Sequence, residues 1–211
     1  MARQADHNER RSLFAAAALN VISRDGLEGL TLREVAREAG FTTGALTHYF
    51  QSKDEVLIAA SEHAAYEVRV PMDEVALGAS AREALRQLLY TALPTSTIMK
   101  GRWRFWVAFW ERAAHSPQVG RVMRERYFEW SNRIATLIRR AQEQGEAPRE
   151  VDANRTSREL VALVDGIGVQ VLIGTGKFTG LVQRQFVDSL LDLRLGPMPP
   201  ASSRRPARTS G

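Results

Sequence analysis

Residues Thr31 to Phe50 read TLREVAREAGFTTGALTHYF. The stretch divides into two short helical segments at Gly40. Thr31 and Glu34 form a T-x-x-E capping box, in which a side-chain oxygen takes up a free amide at a helix start. Leu32, Val35, Ala36 and Ala39 then fall on one face at helical spacing. Gly40 supplies a backbone that turns left-handed easily where a helix ends. A second helix is expected from Thr43 to Phe50, with Leu46, Tyr49 and Phe50 turned inward. Two helices this short are too small to fold alone, so their neighbours must supply the rest of a core.

Those neighbours read as helices too. Phe14, Ala17, Ala18, Val21 and Ile22 repeat at helical spacing, and Gly26 ends that run. Ser52 and Glu55 make a second capping box, opening a long helix with Val56, Leu57 or Ile58, and Ala60 inward; Pro71 is expected to end or kink it. Further helices are expected at about 80–93, 101–115, 117–144, 153–173 and 180–195, punctuated by Pro94, Ser116-Pro117, Gly145–Pro148 and Gly174–Gly180. No segment alternates like a strand, so the fold class is all-α. The expected division is a disordered N-terminus over 1–8, a three-helix DNA-binding unit over 9–54, a ligand-binding and dimerisation domain over 55–195, and a disordered basic tail over 196–211.

The chain has 211 residues, 44% of them hydrophobic, which is enough for one or two cored domains. It has no cysteine, so disulfides and thiolate metal sites are excluded. No apolar run approaches the ~20 residues that span a bilayer, and the polar start MARQADHNERR is unlike a signal peptide. The expected location is the cytoplasm, with no membrane partner. A net charge of +5 and a pI of about 10.1 point weakly to a polyanion. The surplus is not in the opening stretch, since residues 1–55 carry seven Arg and Lys against eight Asp and Glu.

The spacing itself carries the functional reading. A helix-turn-helix needs a small residue where its helices cross, a flexible turn, and apolar anchors for the second helix. Ala36, Gly40 and the set Val35, Ala39, Phe41, Leu46 and Tyr49 meet those needs. With Leu46, Tyr49 and Phe50 inward, Thr43, Gly44, Thr47 and His48 point outward, flanked by Ala45. That thin, uncharged face suits a major groove, where Thr and His bond base edges and an alanine methyl meets the thymine methyl. Thr31, Thr42 and Lys53, at helix starts, suit phosphates. The competing reading is a helical hairpin that merely packs.

At these residues the sequence resembles the TetR family of bacterial repressors. The matching run is GLEGLTLREVAREAGFTTGALTHYFQSKDEVLIAA, Gly26 to Ala60, and it includes Thr31, Arg33, Ala36, Ala39-Gly40, Gly44, Leu46, Tyr49-Phe50 and Ser52-Lys53. The resemblance adds Arg33 and Tyr49 to the expected DNA contacts. The family's usual tyrosine at position 47 is threonine here. WRFWVAFWERAAHSP (Trp103–Pro117) and ALVDGIG (Ala162–Gly168) look like the C-terminal domain of the betaine-pathway, BetI-like branch. The resemblance implies a homodimer on a double-stranded DNA operator, a helical domain that senses a small-molecule effector, and repression of nearby genes.

Trp103, Trp106 and Trp110 share one face of a helix, and Tyr127 and Trp130 follow on the next. They read either as a ligand pocket, with an aromatic cage for a quaternary ammonium such as choline, or as buried packing. Leu160, Val164, Ile167, Gly168, Val171, Phe186 and Leu190 form broad apolar faces on the last two helices. They are expected at a twofold interface, the alternative being packing within one chain. DGIGVQV lacks the third glycine and the preceding strand of a nucleotide-binding turn. His7, His48, His63 and His115 are scattered, so no metal site, cofactor or catalytic constellation is expected. Two other readings remain: a constitutive DNA-binding protein whose second domain only dimerises, and an all-α enzyme.

Overall fold

The structure, a computed structural model, describes residues 2–75 and 80–197, and all of its regular elements there are helices. They are α1 (Ala2–Asp25), α2 (Leu32–Glu38), α3 (Thr43–Thr47), α4 (Lys53–Val75), α5 (Ala81–Ala92), α6 (Thr97–His115), α7 (Pro117–Glu143), α8 (Ala153–Ile173) and α9 (Gly180–Leu195). Several start on a residue whose side chain accepts a free amide: Thr31, Thr42, Ser80, Ser96, Ser116, Asp152 and Thr179. The chain punctuates itself, which is why the sequence pattern locates most elements.

Three boundaries differ from expectation. The helix α1 already runs from Ala2, so residues 2–8 belong to it and are not a disordered lead. Ala2–Arg11 holds no glycine or proline and several good helix formers. The helix α4 continues past Pro71 to Val75. The helix α3 stops at Thr47, with His48 as its C-cap, because Tyr49 and Phe50 turn back beneath α1, their rings 5.4 and 6.4 Å from that of Phe14. The expected basic tail 196–211 lies, beyond Pro197, outside the described residues.

Two apolar cores organise the chain. The first joins Phe14, Leu19 and Ile22 of α1, Val35 and Ala36 of α2, Leu46 of α3, Phe50, and Val56, Leu57 and Ala60 of α4. It does not end at residue 54, for Phe105 and Phe109 of α6 and Val119 of α7 are part of it, all at 0% exposure. Each large side chain so buried contributes about 1.5–3 kcal/mol, so α6 stabilises the N-terminal unit directly. The second core gathers Leu85, Leu88 and Leu89 of α5, Trp103 of α6, Ile134 and Ile138 of α7, Leu160, Val164 and Ile167 of α8, and Val187 and Leu191 of α9. Thus α6 carries aromatic residues nearly all round because it faces both cores.

A buried arginine fastens the second core. Arg82, at the start of α5, is 1% exposed, and its guanidinium donates to the carbonyls of Leu195 (3.0 Å), Glu146 (3.2 Å) and Gly196, and to Asp192 Oδ1 (2.9 Å). Carbonyls at the end of α9 have no partners within the helix, and the guanidinium fork meets them. Burial pulls the Arg82 pKa down, against the pull of Asp192.

Candidate functional site

The N-terminal reader is built by capping. The Glu34 N–H donates to Thr31 Oγ1 at 3.1 Å, and the Glu34 carboxylate is taken by Arg37 and Arg24. At the turn, the Phe41 N–H reaches the Ala36 carbonyl (2.8 Å) and the Gly40 N–H that of Arg37 (3.1 Å). This double closure requires a left-handed residue between, and Gly40 sits at φ +77°. The Ala45 N–H donates to Thr42 Oγ1 at 3.2 Å, starting α3. Phe14 holds the assembly from above, its ring centroid 5.1 Å from that of Phe41.

The outward face is as the periodicity requires. Thr43, Gly44, Thr47 and His48 are exposed and Ala45 half-buried, while Leu46 and Phe50 are at 0% and 1%. The Thr47 hydroxyl donates to the Gly44 carbonyl at 2.9 Å, so outward it presents a methyl group and an acceptor. Thr31, Arg33, Thr42 and Lys53 are exposed around this face. Thr31 and Thr42 accept a cap hydrogen bond and keep their own hydroxyl hydrogen to give. Tyr49 is half-buried, with its ring 4.6 Å from that of His7 on α1. A Cβ at Gly44 would meet nothing nearer than Thr42 Oγ1 at 3.9 Å, so packing does not demand a glycine there.

The start of α4 is clamped to the far end of α6. Arg112 Nε donates to Asp54 Oδ1 at 2.7 Å and its Nη2 to Oδ2 at 3.0 Å, while the Ser116 hydroxyl donates to Oδ2 at 2.7 Å. The Arg112 bond chiefly, with help from Ser116, holds the Asp54 carboxyl below its usual range against the opposing effect of burial. Ser116 also caps α7. Sequence reading missed this clamp, because its partners lie 58 and 62 positions apart.

The expected pocket residues separate. Trp103 is 5% exposed, donates from Nε1 to the Ala92 carbonyl at 2.7 Å, and meets Trp110 edge-on at 5.9 Å. Trp110 stacks on Tyr127 at 6.4 Å, and its own buried Nε1–H has no partner among the described residues. Trp130 is half-buried beside the second core. Trp106 departs from this group: it packs on Phe105 (5.2 Å) and Phe109 (5.9 Å) in the reader's core, because it lies at the edge of the α6 face that turns there. One residue that the sequence reading passed over joins the group. The Tyr127 hydroxyl donates to Asp165 Oδ2 at 2.7 Å. Burial pushes the Asp165 carboxyl up to about 6, the Tyr127 bond opposing it, and Tyr127 itself is raised by burial. The available signal was a lone acid inside the apolar run ALVDGIG.

The interface residues are partly corrected. Leu160, Val164 and Ile167 are at most 3% exposed within the chain's own core, so they have almost no surface to give a partner. Gly168 turns inward as well, where a Cβ would lie 2.1 Å from Cζ3 of Trp103. An apolar stripe at helical spacing looks the same whether it meets its own chain or another. Val171 and Leu190 are half-buried against the second core and Phe186 is 47% exposed, while Ile173 (69%), Leu181 (67%) and Leu193 (74%) are exposed on α8 and α9. Among the described residues no helix is long and apolar enough to cross a membrane, and no cluster of His, Cys, Asp and Glu could hold a metal.

Comparison with known proteins matches both halves. Residues 15–60 fit the bacterial regulatory proteins of the tetR family, and residues 81–196 fit the C-terminal domain of BetI-type transcriptional repressors. The HTH-type transcriptional regulator PksA of Bacillus subtilis is 31% identical over 82% of this chain and 83% of its own length. The regulator BetI of Paraburkholderia phymatum is 28% identical over 88% of this chain and 93% of its own. Among solved structures, a transcriptional regulator from Saccharomonospora viridis in complex with choline superposes with a TM-score of 0.80 at 28% identity, covering 89% of this chain and 98% of that one. These relatives are regulators and not enzymes. With its capped reader, its helical second core and both family matches, this chain belongs to the TetR family of DNA-binding, ligand-responsive transcriptional regulators and carries a BetI-type C-terminal domain.

Proposed function

We propose that the protein is a repressor that binds a palindromic operator as a homodimer and releases it when a small organic ligand enters the cluster of Trp103, Trp110 and Tyr127. The observation that carries this reading is the placement of α6, which puts Phe105 and Phe109 in the reader's core and Trp103 in the other. A change at the rings reaches the reader through one rigid element. Trp110 packs between Trp103 and Tyr127 with its indole N–H unpartnered among the described residues, and Arg112 lies two residues on, gripping Asp54 beside Lys53.

In this reading Thr43, Gly44, Ala45, Thr47 and His48 enter the major groove, and Thr31, Arg33, Thr42, Tyr49 and Lys53 hold phosphates. Gly44 lets the backbone approach the DNA closely, since folding places no demand on it. A second copy docks on Val171, Ile173, Leu181, Phe186, Leu190 and Leu193, setting two α3 helices about 34–36 Å apart, one helical turn of DNA. A quaternary ammonium fits electron-rich ring faces, and choline bound to the Saccharomonospora viridis regulator supports that class. Release requires the ligand to favour the state that does not fit DNA, with a coupling of about 1–3 kcal/mol.

The test is operator binding followed by fluorescence anisotropy during a choline titration, on wild type and on Trp110→Ala. Wild type should lose affinity roughly 5–150-fold at saturation, and the variant should bind the operator without responding. Unchanged operator affinity in choline-saturated wild type would sink the assignment of this effector.

A further inference from the structure

Four groups connect in space to one carboxylate. Asp165 accepts from Tyr127, Tyr127 stacks on Trp110, Trp110 meets Trp103 edge-on, and Trp103 lies against Gly168, one turn along α8 from Asp165. Among the described residues no cationic side chain pairs with Asp165; burial and the phenol are what act on it. A half-buried carboxylate is a costly way to satisfy one phenol hydroxyl, which a neutral amide or carbonyl oxygen would serve equally. Ring faces attract a cation, but they also bind an uncharged group of the same shape through contact area alone. The carboxylate therefore adds what the rings lack.

Resting on the effector reading above, we infer that Asp165 is the specificity-determining counter-ion of the sensor, making it select an organic cation over a neutral molecule of the same shape. The cation takes its place beside the Trp110 and Tyr127 rings, and its charge meets the Asp165 carboxylate in surroundings where water screens little. Trp110 Nε1–H, unpartnered in the free protein, is left to donate to an acceptor on the ligand.

Two probes isolate the charge: choline, and 3,3-dimethylbutan-1-ol, which keeps the hydroxyl and the shape but replaces the nitrogen by carbon. Calorimetric titration of the full chain should show wild type favouring choline by about tenfold or more. Asp165→Asn should abolish that preference by weakening choline relative to the alcohol, and Asp165→Glu should retain it. If Asp165→Asn keeps the preference, the counter-ion assignment is overturned and the pocket stands. If wild type binds neither probe, the pocket assignment falls and this inference with it. Should Asp165→Asn fail to fold, wild type decides alone. Tyr127 from α7 is the titratable group facing Asp165, and Trp103 and Trp110 from α6 carry no charge. A choline preference that shrinks as pH falls through about 6 supports the assignment, and a constant ratio overturns it.

Discussion

Two glycines, Gly44 in the reader and Gly168 in the sensor, sit on helices for opposite reasons. A Cβ on Gly44 would stand in open space 3.9 Å from its nearest neighbour, whereas one on Gly168 would be driven to 2.1 Å from the Trp103 ring. Folding needs the second glycine and not the first. The contrast runs through both regions. The reader fixes a thin exposed face with local hydrogen bonds on helices of seven and five residues. The sensor gathers rings from α6 and α7 against α8, and nothing local determines which rings meet. Substitutions in the reader should therefore show in DNA binding, and those in the sensor in stability and response.

The largest effect is expected at Gly168. In Gly168→Ala the methyl must displace Trp103, which is held by Ala92 and packed against Trp110. Overpacking of this kind costs about 1–3 kcal/mol, read as a lower melting temperature. A variant that melts like wild type would show that Trp103 has room to withdraw, and the contrast between the two regions would fail at its strongest point.

Next come the groove face and its phosphate contacts. His48→Ala should cost about 1–3 kcal/mol at particular base pairs, whereas Lys53→Ala should weaken all sequences alike and lower the salt dependence. Measuring both against a panel of operator variants at two salt concentrations separates the two roles. If His48→Ala leaves base preference intact, His48 serves only as the C-cap of α3.

Local chemistry explains what was legible. Thr31, Thr42 and Gly40 act on amides and carbonyls within five positions of themselves, so the reader could be written down from its sequence, Tyr49 and Phe50 apart. The sensor depends on choices made at a distance. Trp106 follows the reader's core and Trp103 the other because of where α1 and α8 pack, which no helical repeat records. Leu160, Val164 and Ile167 look like any interface stripe until α6 and α7 are seen to cover them. Asp165 looks like a defect in an apolar run until the Tyr127 hydroxyl is found on it.

A smaller effect returns to the other glycine. Gly44→Ala removes backbone entropy from the unfolded chain at a helical position with space for the methyl, so stability should rise by roughly 0.5–1 kcal/mol. Operator binding should weaken if the DNA approaches the backbone there. A variant both more stable and fully active would place the DNA farther from α3 than the groove reading requires.

The smallest effect lies in acid, at the clamp between the two regions. The Asp54 carboxyl is held below its ordinary value of 3.8, first by Arg112 and then by Ser116. A depressed folded value means that the stabilisation is fully present above 3.8 and is lost as pH falls through the lower folded value. Arg112→Gln removes the main cause of the depression and leaves the burial that opposes it, so the variant has less stabilisation at Asp54 to lose in acid. Melting temperatures of wild type and variant between pH 6 and pH 2.5 should draw together toward the acid end, as protonation removes the contribution of Asp54. A gap that stays constant down to the lowest pH would mean that Arg112 stabilises the junction by packing alone, and that the sensor reaches the reader through Phe105 and Phe109 without the clamp.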